Sequence, residues 1–443
     1  MPEPGQPTLV RAIGRWSLAA LTINCIIGSG IFGLPSQISA TLGRAGPFAW
    51  IFAAIATALV MACFAEVSSR FDQTGGVYLY SRTAFGRPTG IAIAWLGWLA
   101  RLTAAAANAN LFVTYLAQFW PSAQEKLPRM IVLTAVLSVL TIVNYVGVRR
   151  GTLQSNLFTA AKLSTLGGFI VAALVFVKHQ SLAISLPAGP FKSWRDAILL
   201  LVFAYGGYET ALMPGGEARN PRRDYPFALF VALIVCTIVY TMTQWVIVSL
   251  LPQSSMTGRP LATAGQFMFG AAGAAILSVG VLVSCYGYLS ANVLGFPRIL
   301  FALAEHGDLP PVMARVHPRF RTPHVAILVF AGLLYAFSLA GSFQWNLVIS
   351  AVSRLFYYSS VCAALPVLRR KSGTPDAQFH LPMGNLIAAL AVATSLSLLL
   401  SFPRLDLRSG IVLAVVALGV LVHSLWASRQ TRTAGAARTA GYE

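Results

Sequence analysis

An all-α membrane protein of twelve transmembrane helices is the fold that the sequence predicts. Helices 1 to 10 would form a 5+5 inverted repeat in which helices 1 and 6 are discontinuous, and helices 11 and 12 would follow it. Three observations predict it. Of the 443 residues, 56% are apolar and only 10% are charged, where a soluble chain carries about 25% charged residues. Apolar runs near the roughly 20 residues that a bilayer crossing needs recur along the whole length. The basic residues fall in short clusters between those runs, which is how membrane topology is encoded. An ordinary cytosolic enzyme and a disordered chain are both excluded.

The twelve apolar runs lie at 16–39, 45–69, 90–119, 129–148, 157–177, 195–213, 226–251, 272–303, 324–341, 345–368, 384–402 and 408–427. The formal charge is +19, from 32 Lys and Arg against 13 Asp and Glu. In a soluble chain this would suggest nucleic acid; here its distribution points to the bilayer, and no nucleic-acid partner is expected. With the N-terminus inside, 19 basic residues sort to the inner loops, among them Arg15, Arg82, Arg149, Arg223, Arg321 and Arg370. Nine sort outside, among them Arg44, Arg129, Lys178, Arg259 and Arg408, and Arg101, Lys162, Arg298 and Arg354 lie in spans or at their ends. The bias places both termini in the cytoplasm of a multi-pass inner (cell) membrane protein.

Arg11 and Arg15 precede an apolar stretch that meets no small-residue cleavage site, so the first run reads as a retained span. Cys25, Cys63, Cys236, Cys285 and Cys362 all fall in apolar runs without metal-like spacing, and the six histidines form no HExxH-type pair. No disulfide, metal or cofactor is expected. Residues 428–443 read as a polar cytoplasmic tail.

Two spans are built to break. The first contains Ile27-Gly28-Ser29-Gly30-Ile31-Phe32, with Pro35 beyond it, and the sixth contains Phe203-Ala204-Tyr205-Gly206-Gly207-Tyr208-Glu209, with Pro214 beyond. Glycine is the weakest helix former after proline. An unwound segment in hydrocarbon exposes backbone groups at a cost of several kcal/mol each unless protein, water or ligand takes them. One such span can mean close helix packing. These two occupy corresponding places, each opening a five-span block, 16–177 and 195–368. An odd number of spans inverts the second block. Paired interrupted spans in inverted halves point to the binding site of a secondary transporter. A half-helix starting near Gly30 aims free N–H groups at the gap and favours an anion. Half-helices ending near Ile27 and Ala204 aim carbonyls there and suit a cation. An α-amino acid carries both charges.

The first-span stretch resembles the motif of the amino acid–polyamine–organocation (APC) superfamily. Phe203 to Glu209, followed by Gly216-Glu217-Ala218-Arg219-Asn220-Pro221 and the residues to Pro226, is similar to its sixth span and inner loop. Phe301-Ala302-Leu303-Ala304-Glu305-His306-Gly307-Asp308-Leu309-Pro310, then Arg321-Thr322-Pro323, resembles its loop after span eight. The resemblance implies the twelve-span fold and alternating access. It implies a substrate carboxylate on the amides around Gly28, Ser29 and Gly30, and an α-amino group on carbonyls near Ile26, Phe203, Ala204 and Gly206. Phe203 would be an aromatic gate; its alternative is packing against lipid or core.

Lys162 stands inside span five, where a charge costs about 3 kcal/mol on insertion scales. It either snorkels toward the inner interface or supplies a fixed cation between spans one, five and eight. The second role resembles sodium-independent members of the superfamily. Glu209 is a proton carrier or a hydrogen-bonded anchor. Arg101 and Arg354 pair with acids, snorkel or line a vestibule. Asn108, Asn110, Ser284, Cys285, Ser353 and Tyr357 are the polar candidates for a side-chain pocket, each with interhelical bonding as its alternative. Acids near the breaks are scarce beyond Glu209, which favours neutral substrates. The expected function is sodium-independent secondary transport of L-amino acids, proton-coupled or by exchange. A cationic amino acid or polyamine carrier, with Glu209 as counter-ion, is the alternative. A membrane-embedded enzyme would need an acid/base or metal cluster near the breaks, and none is evident. The expected partners are the small-molecule substrate and the lipid bilayer, and an accessory subunit is left open.

Overall fold

A computed structural model describes residues 13–72, 75–146, 151–177, 190–213, 218–252, 257–305, 308–400 and scattered positions between 410 and 423. Outside the described residues lie the tail at 428–443, most of the run at 408–427, Arg11, Arg149, Arg150, Lys178, Pro214, and the motif residues Gly216, Glu217, His306 and Gly307. The described chain is helical. In order the helices are α1 (Arg15–Ile26), α2 (Ser29–Leu42), α3 (Gly46–Ser68), α4 (Gly76–Phe85), α5 (Arg87–Leu116), α6 (Lys126–Val146), α7 (Gly151–Val177), α8 (Phe191–Tyr205), α9 (Tyr208–Ala211), α10 (Pro221–Leu250), α11 (Pro260–Gly295), α12 (Pro297–Glu305), α13 (His324–Ala340), α14 (Phe343–Arg370) and α15 (Gly384–Leu400).

All the apolar runs but the last fall on these helices. Among the described residues, seven helical stretches are long and apolar enough to cross a membrane, and two further apolar helices, α13 and α15, have 17 residues. The first and sixth runs miss the length because each is split. Large apolar side chains face outward along many helices, among them Ile131, Ile142, Val171, Val175, Ile234, Ile276, Leu328 and Leu386. In water such a surface would drive aggregation; in a bilayer it is the lipid-facing coat. The chain is a multi-pass membrane protein.

Helix starts follow local chemistry. Proline stands in the first turn of α3, α5, α10 and α11, where its missing N–H costs nothing. Ser342 caps α14 by accepting the Trp345 amide at 3.1 Å. Two bends use left-handed glycine. Gly86 (φ +94) turns the ten-residue α4 into the long α5. Gly270 (φ +65), with Phe269, bends α11 after its own first ten residues, Pro260 to Phe269. Helices α5 and α14 are the most enclosed and pack along one another, while α6 and α7 face mostly outward. Of the broken helices, α1 packs on α7 and α10, and α8 packs on α2, α3 and α14.

Candidate functional site

The first break is two residues long. α1 ends at Ile26, Ile27 (ψ 95) and Gly28 (φ −124, ψ −153) are extended, and α2 resumes at Ser29. The second is also two residues long. α8 ends at Tyr205, Gly206 is extended (φ −75, ψ 158), Gly207 takes φ +126, and α9 starts at Tyr208. Every residue from Ile26 to Ser36 and from Leu201 to Glu209 is buried.

The two breaks cross each other reciprocally. A Cβ on Gly30, in the first turn of α2, would lie 2.7 Å from Ala204 Cα near the end of α8. A Cβ on Gly207, at the start of α9, would lie 2.1 Å from the carbonyl oxygen of Cys25 near the end of α1. Each half-helix start therefore sits against the other's half-helix end, and only glycine permits the approach. Tyr240 of α10 ties the ends together, its hydroxyl donating to the carbonyls of Ile26 at 3.2 Å and Ala204 at 3.3 Å.

The two starts differ in one respect. At α9 the Glu209 carboxylate folds back and accepts the Gly207 amide at 2.9 Å. That start has no side-chain cap but carries its own anion. At α2 no side chain caps the helix, and its first N–H groups have no partner within the helix. Ser29 lies there, and its Oγ is buried with no hydrogen-bond partner among the described residues. Tyr288 of α11 and Asn108 of α5 approach from the other side: a Cβ on Gly28 would lie 3.2 Å from the Tyr288 ring and 3.8 Å from Asn108 Nδ2.

Four buried charged side chains surround the crossing. Lys162 of α7 is 1% exposed, and its ammonium donates to the carbonyls of Ile27 at 2.8 Å and Asn24 at 3.2 Å. It ends on the frayed C-terminus of α1, where the helix dipole favours a cation, and it lies 5.7 Å from the Tyr288 ring centroid. Glu209 accepts Arg101 Nη2 at 2.9 Å and the Tyr357 hydroxyl at 2.6 Å on Oε1. Its Oε2 accepts the Tyr358 hydroxyl at 3.1 Å besides the Gly207 amide. Arg101 also donates to the Gly207 carbonyl at 2.7 Å. Arg354 of α14 stands beside the same carboxylate, Nη1 to Oε1 at 3.2 Å.

Of the expected site residues, Ile26, Gly28, Ser29, Gly30, Phe203, Ala204 and Gly206 come together at the crossing, with Lys162 and Glu209 on either side. The Phe203 ring lies 5.8 Å from the Arg354 guanidinium carbon. Tyr357 belongs to the Glu209 cluster, and Asn108 adjoins Gly28. Ser284 and Ser353 are buried with hydroxyls that have no partner among the described residues, and Cys285 is a buried free thiol. Asn110 is committed elsewhere: Oδ1 accepts Arg129 at 2.7 Å and Nδ2 donates to the Gly341 carbonyl at 3.1 Å, tying α5 to α6 and α13. Residues two apart on a helix face different ways, so Asn108 and Asn110 could not both reach the gap. Tyr240, Tyr288 and Tyr358 were not singled out by the sequence. An aromatic in an apolar run looks like core or lipid contact until its hydroxyl is placed. An open cleft of about 550 Å³, lined by Arg15, Arg219, Arg223, Asp224 and Phe227 among others, lies at the beginning of α1 and not at the crossing.

Comparison with known proteins bears on this arrangement. A family model described as amino acid permease matches residues 13–422. The chain is 29% identical to the serine/threonine exchanger SteT of Bacillus subtilis (strain 168), over 87% of this chain and 90% of that protein. It is 28% identical to the methylthioribose transporter of the same organism, over 96% and 95%. It is also 28% identical to the large neutral amino acids transporter small subunit 2 of Mus musculus, over 95% and 82%.

Proposed function

Since this chain belongs to the amino acid permease family, we propose that it is a secondary transporter of neutral L-amino acids that works by alternating access without sodium. One observation carries the reading. Of the two half-helix starts at the crossing, α9 already has the Glu209 carboxylate against it, and α2 has no such anion among the described residues. The open start is a ready anion site, and carbonyl ends of α1 and α8 lie against it. A zwitterion fits, with its carboxylate on the amides of Gly28, Ser29 and Gly30. Its amine would take the carbonyls of Ile26, Phe203, Ala204 and Gly206, displacing the Tyr240 hydroxyl from two of them. Phe203 is the gate over the bound molecule.

Lys162 is the coupling group in this reading. Its ammonium joins α7 to the end of α1 where other carriers would use a metal cation, so exchange or proton symport replaces sodium coupling. Glu209 is a fixed anchor: both of its oxygens are occupied by strong donors, which leaves little reason for it to bind a proton. The repeat comprises residues 16–177 and 195–368, with two further helices over 384–427 and both termini in the cytoplasm of the inner membrane. The matching bends at Gly86 and Gly270, each after a ten-residue helix, support that correspondence. A basic substrate would meet Arg101, Arg354 and Lys162 against one acid, which disfavours the cationic and polyamine alternative. The methylthioribose transporter, at similar identity, supplies the competing reading.

The test is uptake into proteoliposomes in sodium-free buffer, with labelled serine, leucine, glutamine, lysine, putrescine and methylthioribose offered in turn. Saturable accumulation or counterflow of a neutral amino acid is expected. A strict sodium requirement, or uptake of methylthioribose alone, would overturn the reading.

A further inference from the structure

Three of the four buried charged side chains at the crossing are cations, and their charges are met unequally. Lys162 ends on two backbone carbonyls. Arg101 has Glu209 and the Gly207 carbonyl on one nitrogen. Arg354, only 1% exposed, has least. Its Nε lies 3.3 Å from Ser350 Oγ. Its Nη1 is 3.2 Å from Glu209 Oε1, but that approach lacks hydrogen-bond geometry and Nη1 has no hydrogen-bond partner among the described residues. Glu209 cannot do more, because its oxygens are already taken by Arg101, Tyr357, Tyr358 and the Gly207 amide.

The position of this guanidinium matters as much as its deficit. A Cβ on Gly206 would lie 1.8 Å from Arg354 Nη1, so the group rests on the second break itself. Phe203 lies on one side of it, and the adjacent Ser353 offers a buried hydroxyl with no partner among the described residues. A guanidinium has five N–H donors in a planar fork that matches a carboxylate or a carboxamide oxygen. In a bilayer interior, leaving such donors unfilled is costly; the Tyr358 hydroxyl adjoins the guanidinium, but among the described residues none completes a hydrogen bond to Nη1.

We propose that Arg354 reads the side chain of the substrate and selects amino acids that end in a carboxylate or carboxamide, the acidic amino acids and their amides. This rests on the transport reading above, in which the α-carboxylate occupies the start of α2 and the second acceptor must come from elsewhere on the substrate. It narrows that reading within the neutral amino acids to the carboxamides and extends it to their acids. A site built to hydrogen-bond a substrate group rejects analogues lacking it far more strongly than an apolar pocket rejects a missing methylene.

The experiment is competition binding on the purified full-length protein, comparing glutamate, glutamine, aspartate and asparagine with norleucine, a linear side chain without an acceptor. At least one acceptor-bearing amino acid is expected to bind roughly tenfold or more tighter than norleucine. In Arg354→Lys, which keeps the charge but loses the fork, and in Arg354→Gln, that ratio should fall toward one. Norleucine binding as well as all four in the wild type, or the preference surviving in Arg354→Lys, overturns the assignment while leaving amino acid transport in place. If no amino acid binds the wild type, the transport reading falls and this falls with it.

Discussion

Glu209→Gln separates an anchor from a proton carrier. The substitution keeps the shape of the side chain and one carbonyl oxygen, but removes the charge and turns one acceptor into a donor. In the wild type Glu209 receives Arg101 at 2.9 Å, Tyr357 at 2.6 Å, Tyr358 at 3.1 Å and the Gly207 amide at 2.9 Å, with Arg354 beside it at 3.2 Å. After the change two buried guanidiniums face an amide, and at least one donor meets another donor. Breaking a buried ion pair by removing one partner costs about 3–5 kcal/mol, a factor of roughly 10²–10⁴ in the folded-to-unfolded ratio. The assay is the thermal stability of the detergent-purified protein, followed by uptake across a range of pH. A large loss of thermal stability is expected, with whatever uptake remains keeping its wild-type pH profile. A carrier carboxylate would behave otherwise, since glutamine mimics its protonated form. Unchanged stability together with uptake that no longer responds to pH would refute the anchor reasoning.

Lys162→Met should abolish transport while the protein still reaches the membrane, because the carbonyls of Ile27 and Asn24 lose the cation that joins them to α7; uptake per mole of purified protein checks it, and normal flux would make the lysine dispensable. Gly207→Ala combines a positive φ with a Cβ 2.1 Å from the Cys25 carbonyl. Strained backbone and overpacking each cost about 1–3 kcal/mol, so a lower melting temperature and lost substrate affinity are expected, and a silent variant would mean that the breaks are not in contact. Tyr240→Phe removes the hydroxyl shared by the Ile26 and Ala204 carbonyls. Stability should fall by about 1 kcal/mol, and substrate affinity should stay level or rise, since a competitor for those carbonyls is gone; affinity lost by more than tenfold would give the hydroxyl a direct role.

The breaks were legible in the sequence because glycine writes them. Paired glycines cost a helix enough that the unwound segments could be placed within a residue or two, and the half-helix ends expected near Ile27, Gly30 and Ala204 lie at Ile26, Ser29 and Tyr205. Lys162 could be noticed because a charge in an apolar run is conspicuous. The partners of Glu209 could not be read. Arg101 is 108 residues away, and Tyr357 and Tyr358 are 148 and 149, so only the packing of α5 and α14 around the second break brings them there. The short α4 also went unread, because ten residues carrying Arg82 and two tyrosines look like an inner loop. The placing of the Glu209 carboxylate against one half-helix start is the least legible feature, since it depends on how one side chain folds back on its own backbone.

The central claim is that the crossing holds a molecule by both of its charges, and the most direct measurement removes one charge at a time. The affinity of the purified protein for its best amino acid should be compared with that for the same compound as its carboxamide and as its α-hydroxy acid, by calorimetry. Each change is expected to weaken binding at least about tenfold, or roughly 1.4 kcal/mol, the first through the amides at the start of α2 and the second through the carbonyls at the ends of α1 and α8. Equal affinity for either analogue would contradict the account.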